Sequence, residues 1–124
     1  MRINEIAQVT AESDNDFIFA FCTFLDEFYA ANSEEKKILL ADEPQRGTLT
    51  PKQYCMLAAA AHKLANDYGL AVPAWVTQEK FKMPYPVYAF DTKNKEYQVF
   101  LKETSPEEYS SKNVFYGENV LKRV

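Results

Sequence analysis

Apolar residues recur at helical spacing in the first quarter of the chain. Between positions 14 and 31, successive phenylalanines are three or four positions apart. The stripe consists of Phe17, Phe21, Phe24 and Phe28, with Ile18, Leu25 and Tyr29 beside it. Small and polar residues take the opposite face: Thr23, Asp26, Glu27 and Ala30. This spacing predicts an amphipathic helix over 14–31. The stripe can serve as a partner groove, but we favour burial in a core.

A second, shorter helix is predicted directly afterwards. Ser33 followed by Glu34 and Glu35 is typical of a helix start, because carboxylates in the first turn are favoured by the helix dipole. The helix continues through KKILLA and ends before Pro44, since the residue ahead of a proline avoids the α region.

The third helix has the strongest signals, and we expect it over 51–68. Thr50 suits the N-cap, Pro51 the first helical position, and Gln53 completes a capping box. Gly69 supplies the left-handed residue that closes many helices. The apolar positions are Tyr54, Leu57, Ala61, Leu64 and Tyr68. The alanines at 58–61 permit close approach, so we expect the phenylalanine stripe to pack there, burying Phe21, Phe24, Leu57, Ala61 and Leu64.

The C-terminal half has a different pattern. Pro73 favours an extended turn ahead of Trp75. Further on, the segments 87–90 and 96–101 flank a polar loop, and we favour a small β-hairpin there. The competing interpretation is a helix over 93–103 that turns Tyr97, Phe100 and Leu101 inward. Either way, the sequence predicts a mainly α, compact helical domain over 1–124.

A capping signature begins the last predicted helix. Ser105 suits the N-cap, Pro106 the first position and Glu108 the third, so we expect a short helix to about 112. The apolar residues that follow are expected to reach the core: Val114, Phe115, Val120 and Leu121.

Charge is unevenly distributed along the chain. The formal net charge is −4, yet residues 1–45 carry ten acids against three bases, and the remainder carries eleven bases against eight acids. The overall balance opposes nonspecific binding to nucleic acid. The acidic half suits approach to a basic protein partner, although it can equally be a solvated surface.

The sequence lacks the patterns that would indicate secretion, a membrane span or a catalytic or metal site. The start has no signal-peptide pattern, and the longest apolar run, 17–22, is too short to span a bilayer. Cys22 and Cys55 form no CxxC motif, so we expect reduced thiols and a cytoplasmic protein. Cys55 and His62 share a helix face, but a metal needs more ligands and a nucleophile needs an orienting partner. We therefore expect both to be chemically idle, with no catalytic residue, metal or cofactor.

Two segments resemble a widespread, poorly characterised bacterial family. They are GLAVPAWV, directly after the third helix, and TSPEEYSSKNVFYGENVLKRV, and the likeness covers about 49–124. In some relatives this region stands behind a helix-turn-helix DNA-binding domain. Stand-alone copies are similar to small partner proteins of mobile-element or toxin–antitoxin-like loci. This chain departs from the pattern at Tyr109, where phenylalanine is common, and at Ser111 and Lys112, where the family has a more basic pair.

The sequence and the resemblance together suggest an interaction or regulatory module, antitoxin-like, that binds a protein encoded by a neighbouring gene and does not contact nucleic acid directly. Two alternatives stay open: a small hydrolase or nuclease with a dispersed site, and a nucleic-acid-binding accessory protein. The candidate partner contacts are Asp26, Glu27, Glu34, Glu35, Trp75, Tyr85 and Phe115. For Trp75 we favour burial in the core, and Phe115 is likewise expected to reach the core; the recognition surface is the alternative for both.

Overall fold

Helices dominate the backbone of this protein, as the sequence predicts. The computed structural model describes residues 1–9, 14–47, 49–117 and 121. The α-helices are α1 (Ile6–Val9), α2 (Asp14–Ala30), α3 (Ser33–Ala41), α4 (Pro51–Asp67), α5 (Lys95–Thr104) and α6 (Glu107–Ser110). Short 3-10 turns span Ile3–Glu5, Ala74–Thr77, Glu79–Phe81 and Ala89–Asp91, and two short strands are β1 (Val87–Tyr88) and β2 (Val114–Phe115). Within the described ranges, no helix has both the length and the apolar character needed to cross a bilayer.

The first three predicted helices are confirmed as α2, α3 and α4. The Asn32 side chain caps α3 by accepting a hydrogen bond from the Glu35 amide at 2.9 Å. At the start of α4, the Thr50 hydroxyl oxygen accepts from the Gln53 amide at 3.1 Å, and the Gln53 side chain accepts from the Thr50 amide at 3.0 Å. Gly69 follows the helix with a φ of +66°, the left-handed geometry that closes it.

The main buried cluster joins α1, α2, α3, α4 and α6. Phe21, Phe24, Leu57, Ala61 and Leu64 all belong to it, as predicted. The phenylalanines of α2 lie ring against ring along the helix, and Phe28 meets Tyr68 edge-on, with ring centres 5.4 Å apart. The backbones closest to α4, however, are those of α6 and the two 3-10 turns at 74–77 and 79–81. In the described part of the chain, the backbone of α4 thus lies near more residues of α6 and of these turns than of α2.

The predicted β-hairpin over 87–101 is wrong. β1 pairs instead with β2 in a parallel ladder, Val87 with Val114 and Tyr88 with Phe115, and residues 95–104 form α5. The Asn94 side chain caps α5 by accepting from the Tyr97 amide at 3.0 Å, which favours a helix over a returning strand.

Fewer residues of α5 face the core than the competing helix interpretation expects. Leu101 is buried against Ala89 and Phe115 in a second, smaller cluster. Tyr97 and Phe100 instead stack on each other at 6.1 Å and remain largely exposed. One apolar side of α5 therefore faces outward.

The N-cap prediction for Ser105 is also wrong. Its hydroxyl donates to the Leu101 carbonyl oxygen at 2.6 Å and accepts from the Gly117 amide at 2.9 Å, so it closes α5 and ties down the following segment. Pro106 occupies the N-cap of α6. Val114, Phe115 and Leu121 are buried as predicted, whereas Val120 lies outside the described residues.

Candidate functional site

A cleft of about 380 Å³ lies where the start of α2, the first turns of α4 and the 3-10 turn at 89–91 meet. Phe17 and Met56 line it and are themselves buried. Ile18 and Phe90 line it as well, but their side chains are 55% and 89% exposed, which places them at its mouth. The cleft therefore offers an apolar interior with an apolar rim that water reaches.

The helical periodicity of α2 produces this arrangement. Phe17 belongs to the buried stripe, whereas Ile18 is rotated by about 100° around the helix axis and so points away from the core. The next residue, Phe19, is rotated further and is 75% exposed on the outer face of α2. Two large apolar side chains thus follow one another on the solvent side of the helix, which is costly in water unless something else covers them.

Lys52 fixes the polar side of the cleft. Its ammonium group donates to the Tyr88 carbonyl oxygen at 2.7 Å and to an Asp91 carboxylate oxygen at 2.8 Å. It also lies 5.3 Å from the centre of the Tyr116 ring, within range of a cation–π interaction. Because Lys52 is on the first turn of α4, these contacts anchor the 88–91 segment to a rigid helix.

The backbone at Phe90 and Asp91 is strained. Their φ angles are +58° and +50°, in the left-handed region that costs a non-glycine residue about 1–2 kcal/mol. Such conformations persist where the surroundings hold them in place, and they concentrate at functional sites. Here the contacts of Lys52 hold a turn whose visible result is the projection of the Phe90 ring into solvent.

The four predicted acidic contacts are exposed, but none lines the cleft. Asp26 is on the outer face of α2. Glu27 pairs with the amino group of Met1, Glu34 lies 3.5 Å from the Lys37 ammonium, and Glu35 accepts from the Asn32 amide nitrogen at 2.7 Å. Glu34 and Glu35 thus have local structural roles at the start of α3.

Of the three aromatic residues predicted to contact a partner, two are buried and one is exposed. Trp75 is buried, its indole N–H donates to the Leu40 carbonyl oxygen at 3.2 Å, and it packs against Phe81. Phe115 is buried beneath Tyr88. The rings of Trp75 and Phe115 therefore fill the core and do not form an exposed surface. Tyr85 is 60% exposed and remains available for contact.

Sequence reasoning missed Ile18, Phe19, Phe90 and Lys52. Phe19 was detectable, since it lies off the stripe, on the side that carries Thr23 and Asp26. Phe90 was not detectable, because its exposure follows from a backbone conformation that residue type does not encode.

Burial determines the electrostatics around Cys55 and His62. Burial raises the pKa of the Cys55 thiol to about 11, and the nearby Lys112 charge only partly opposes this. Burial also lowers the pKa of His62, as does Lys112, against the opposing effect of Glu108 and Glu107. At neutral pH the thiol is protonated and a poor nucleophile. Over the described ranges, no three or more His, Cys, Asp and Glu side chains form a group suited to a metal.

The arrangement around the cleft is suited to holding an apolar group. Its interior is apolar, and the exposed carboxylate of Asp91 lies beside it with Lys52.

Comparison of the chain with protein-family models, with curated proteins and with solved structures finds no match.

Proposed function

We propose that this chain is a protein-interaction module that takes an apolar side chain of its partner into the cleft between α2 and α4. The observation that carries the proposal is the exposed Phe90 ring at the cleft mouth, held there by two left-handed residues and by the contacts of Lys52. A soluble chain gains nothing for its own stability from such a ring. Aromatic residues beside a pocket are typical centres of protein-binding energy.

The partner that suits this surface is apolar and basic. Ile18 and Phe19 extend the apolar rim from the cleft onto the outer face of α2. Asp26 on α2 and Asp91 at the cleft are exposed carboxylates on the same two elements as the exposed apolar residues. Complementary charge would speed the approach of a basic segment, while the apolar residues would retain it.

The finer proposal concerns where the module acts. The resemblance over 49–124 supports a cytoplasmic, antitoxin-like or regulatory role, with a partner encoded by a neighbouring gene. The sequence of such a neighbour would then contain a segment that combines Lys or Arg with large apolar residues.

The test begins with affinity capture from the native host by the tagged protein. Three forms are compared: the unaltered chain, Phe90→Ala, and Phe100→Ala as the control. Phe100 is a second exposed phenylalanine, on α5, that does not line the cleft. We expect one protein to be recovered by the unaltered chain and by Phe100→Ala, and to be lost with Phe90→Ala.

The recovered protein is then purified and its dissociation constant measured with each form. Truncating a central aromatic contact costs about 2 kcal/mol or more, so Phe90→Ala should weaken binding roughly thirtyfold, and Phe100→Ala should change it little. Equal binding by the two variants would overturn the cleft as the binding site. Failure to recover any specific protein would overturn the proposed function itself.

A further inference from the structure

A second cavity, of about 240 Å³, lies on a different part of the molecule. It is formed by α4, the 3-10 turns at 74–77 and 79–81, and the segment that follows α6. Its lining is mostly polar: His62, Thr77, Gln78, Lys82, Ser111 and Lys112. Its described lining shares no residue with that of the cleft, so a ligand bound here is independent of the proposed function. The volume far exceeds the roughly 10–15 Å³ that one water molecule requires.

Lys112 is the unusual member of this lining. The residue is only 6% exposed, yet over the described parts of the chain its ammonium group has no hydrogen-bond acceptor and no carboxylate at ion-pair distance. Unlike the His62 Nδ1 atom, this ammonium group is not shielded from solvent, so water in the cavity reaches it. A largely buried lysine whose charged group has no partner in the protein is uncommon, because such groups are normally paired. Burial lowers the pKa of Lys112, and Cys55 and Glu108 only partly oppose this effect.

His62 adds a second unsatisfied group to the same cavity. Its Nδ1 atom is buried and, over the described residues, has no hydrogen-bond partner. Lys82 adds a further cation to the lining and is exposed. Among the described residues of the lining, the carboxylate is that of Glu79, which is also exposed. The cavity thus combines a predominantly positive lining with the buried Nδ1 atom of His62 and the Lys112 ammonium, neither of which has a hydrogen-bond partner in the described part of the chain.

We propose that this cavity binds a small oxyanion, a phosphate group or a carboxylate, through Lys112, with His62 and Lys82 as supporting donors. Oxygen atoms of the anion would supply the acceptor that the Lys112 ammonium lacks, and charge-assisted hydrogen bonds of this kind are the strong ones. A bound anion would also favour protonation of His62, which then donates from both ring nitrogens. The charged groups that act on His62 are Lys112, Glu108 and Glu107.

The experiment uses the fact that His62 is the only histidine of the chain. Its imidazole Cε1–H signal in the NMR spectrum reports on this cavity alone. The purified protein is titrated with inorganic phosphate and, separately, with acetate, at constant ionic strength held by sodium chloride. We expect a saturable shift of the His62 signal and a rise in the pKa of His62. Saturation by both anions, by phosphate alone or by acetate alone identifies the oxyanion class that the cavity accepts.

Three variants make the result specific. Lys112→Met keeps the length of the side chain and removes the charge, and we expect it to weaken anion binding by about tenfold or more. Glu79→Gln removes the one opposing carboxylate, and we expect a roughly two- to fivefold tighter binding. Lys95→Met removes a cation on α5, outside the cavity, and should leave binding unchanged.

Stability gives an independent readout. Without an anion, Lys112→Met should unfold at the same or a higher temperature, because an apolar side chain replaces a largely buried one whose charge has no partner in the protein. Phosphate should raise the unfolding temperature of the unaltered protein and not that of Lys112→Met. The proposal is overturned if neither anion shifts the His62 signal in a saturable way, or if Lys112→Met and Lys95→Met bind equally well. Should Lys112→Met fail to fold, unchanged binding by Glu79→Gln would overturn it.

Discussion

The Lys52 ammonium and the Asp91 carboxylate lie 2.8 Å apart and connect two segments that are 39 residues apart in the sequence. The same ammonium donates to the Tyr88 carbonyl oxygen. One side chain on the first turn of α4 therefore holds both ends of the left-handed turn that carries Phe90. The two contacts of Lys52 thus hold the strained backbone of this turn and also fix the position of the Phe90 ring.

Replacing Lys52 with Met should release the turn. The side chain keeps its length against Tyr116, but the Tyr88 carbonyl loses a charged donor, which is worth about 1.5–3 kcal/mol. We expect the free energy of unfolding to fall by about 1–3 kcal/mol, and amide hydrogens at 88–92 to exchange faster. Asp91→Asn is the matched control and should cost under about 1 kcal/mol, because the Asp91 side chain is largely exposed. If amide hydrogen exchange at 88–92 is unchanged in Lys52→Met, the conformation of the turn does not depend on the contacts of Lys52.

The phenylalanines of α2 differ sharply in what they contribute to stability. Phe24 is fully buried in the main cluster, so Phe24→Ala should lower the free energy of unfolding by about 3–5 kcal/mol. Phe19 is on the same helix but exposed, and Phe19→Ala should change stability by no more than about 0.5 kcal/mol. Urea titration of both variants measures the difference. A comparable loss in both would contradict the assignment of the core face.

Tyr109 carries a hydroxyl group that contributes nothing visible to the fold. The residue is fully buried on α6, and over the described ranges its hydroxyl has no hydrogen-bond partner. Burial raises its pKa well above the usual range of a tyrosine. Tyr109→Phe removes the unsatisfied group and keeps the ring, so we expect the free energy of unfolding to rise, by up to about 1–3 kcal/mol. A loss of stability in thermal unfolding would instead reveal a partner for the hydroxyl.

Ionisation of the Cys55 thiol makes the free energy of unfolding depend on pH in the alkaline range. Its pKa is about 11 in the folded protein, mainly because of burial, against 9.0 for an unperturbed cysteine. Between these values the unfolded chain loses the thiol proton and the folded chain keeps it. The stabilising contribution is therefore complete below about pH 9 and is lost as pH rises towards 11, with a slope of at most about 1.4 kcal/mol per pH unit. Urea titrations from pH 7 to 10 should show a flatter decline in Cys55→Ala than in the unaltered protein.

The helices were predictable because their signals are local. The capping box of Thr50 and Gln53, and the phenylalanine stripe of α2, each depend on residues within one or two turns, and both appear as expected. The 95–104 segment was ambiguous because its apolar residues suit a strand and a helix about equally well. The cap from Asn94 and the burial of Leu101 favour the helix. Leu101 is buried against Phe115 of β2, a contact outside the segment that its local sequence does not reveal.

The candidate site was much less predictable. Lys52 and Asp91 are ordinary surface residue types whose pairing requires the fold first. Trp75 and Phe115 suggested a recognition surface, because large aromatics serve cores and interfaces equally well, and only burial separates the two roles. The exposed Phe90 depends on two left-handed residues, a conformation that non-glycine residues adopt too rarely for their type to indicate it.

The acidic face of α2 is expected to steer the approach of the partner that the proposed function requires. Asp26 is exposed on the outer face, which also carries Phe19. Asp26→Lys reverses one charge of this face and leaves the pairing of Glu27 with the Met1 amino group in place, and Glu96→Lys on α5 makes the same change of charge elsewhere. We expect Asp26→Lys to slow association with the recovered partner at low salt, and circular dichroism checks that the variant keeps its helical fold. The difference should shrink at high salt, because charges are screened over about 8 Å at physiological ionic strength and over less above it. Stopped-flow association rates at two salt concentrations make the comparison. If Asp26→Lys binds as fast as Glu96→Lys at low salt, the acids of α2 are a solvated surface and do not steer.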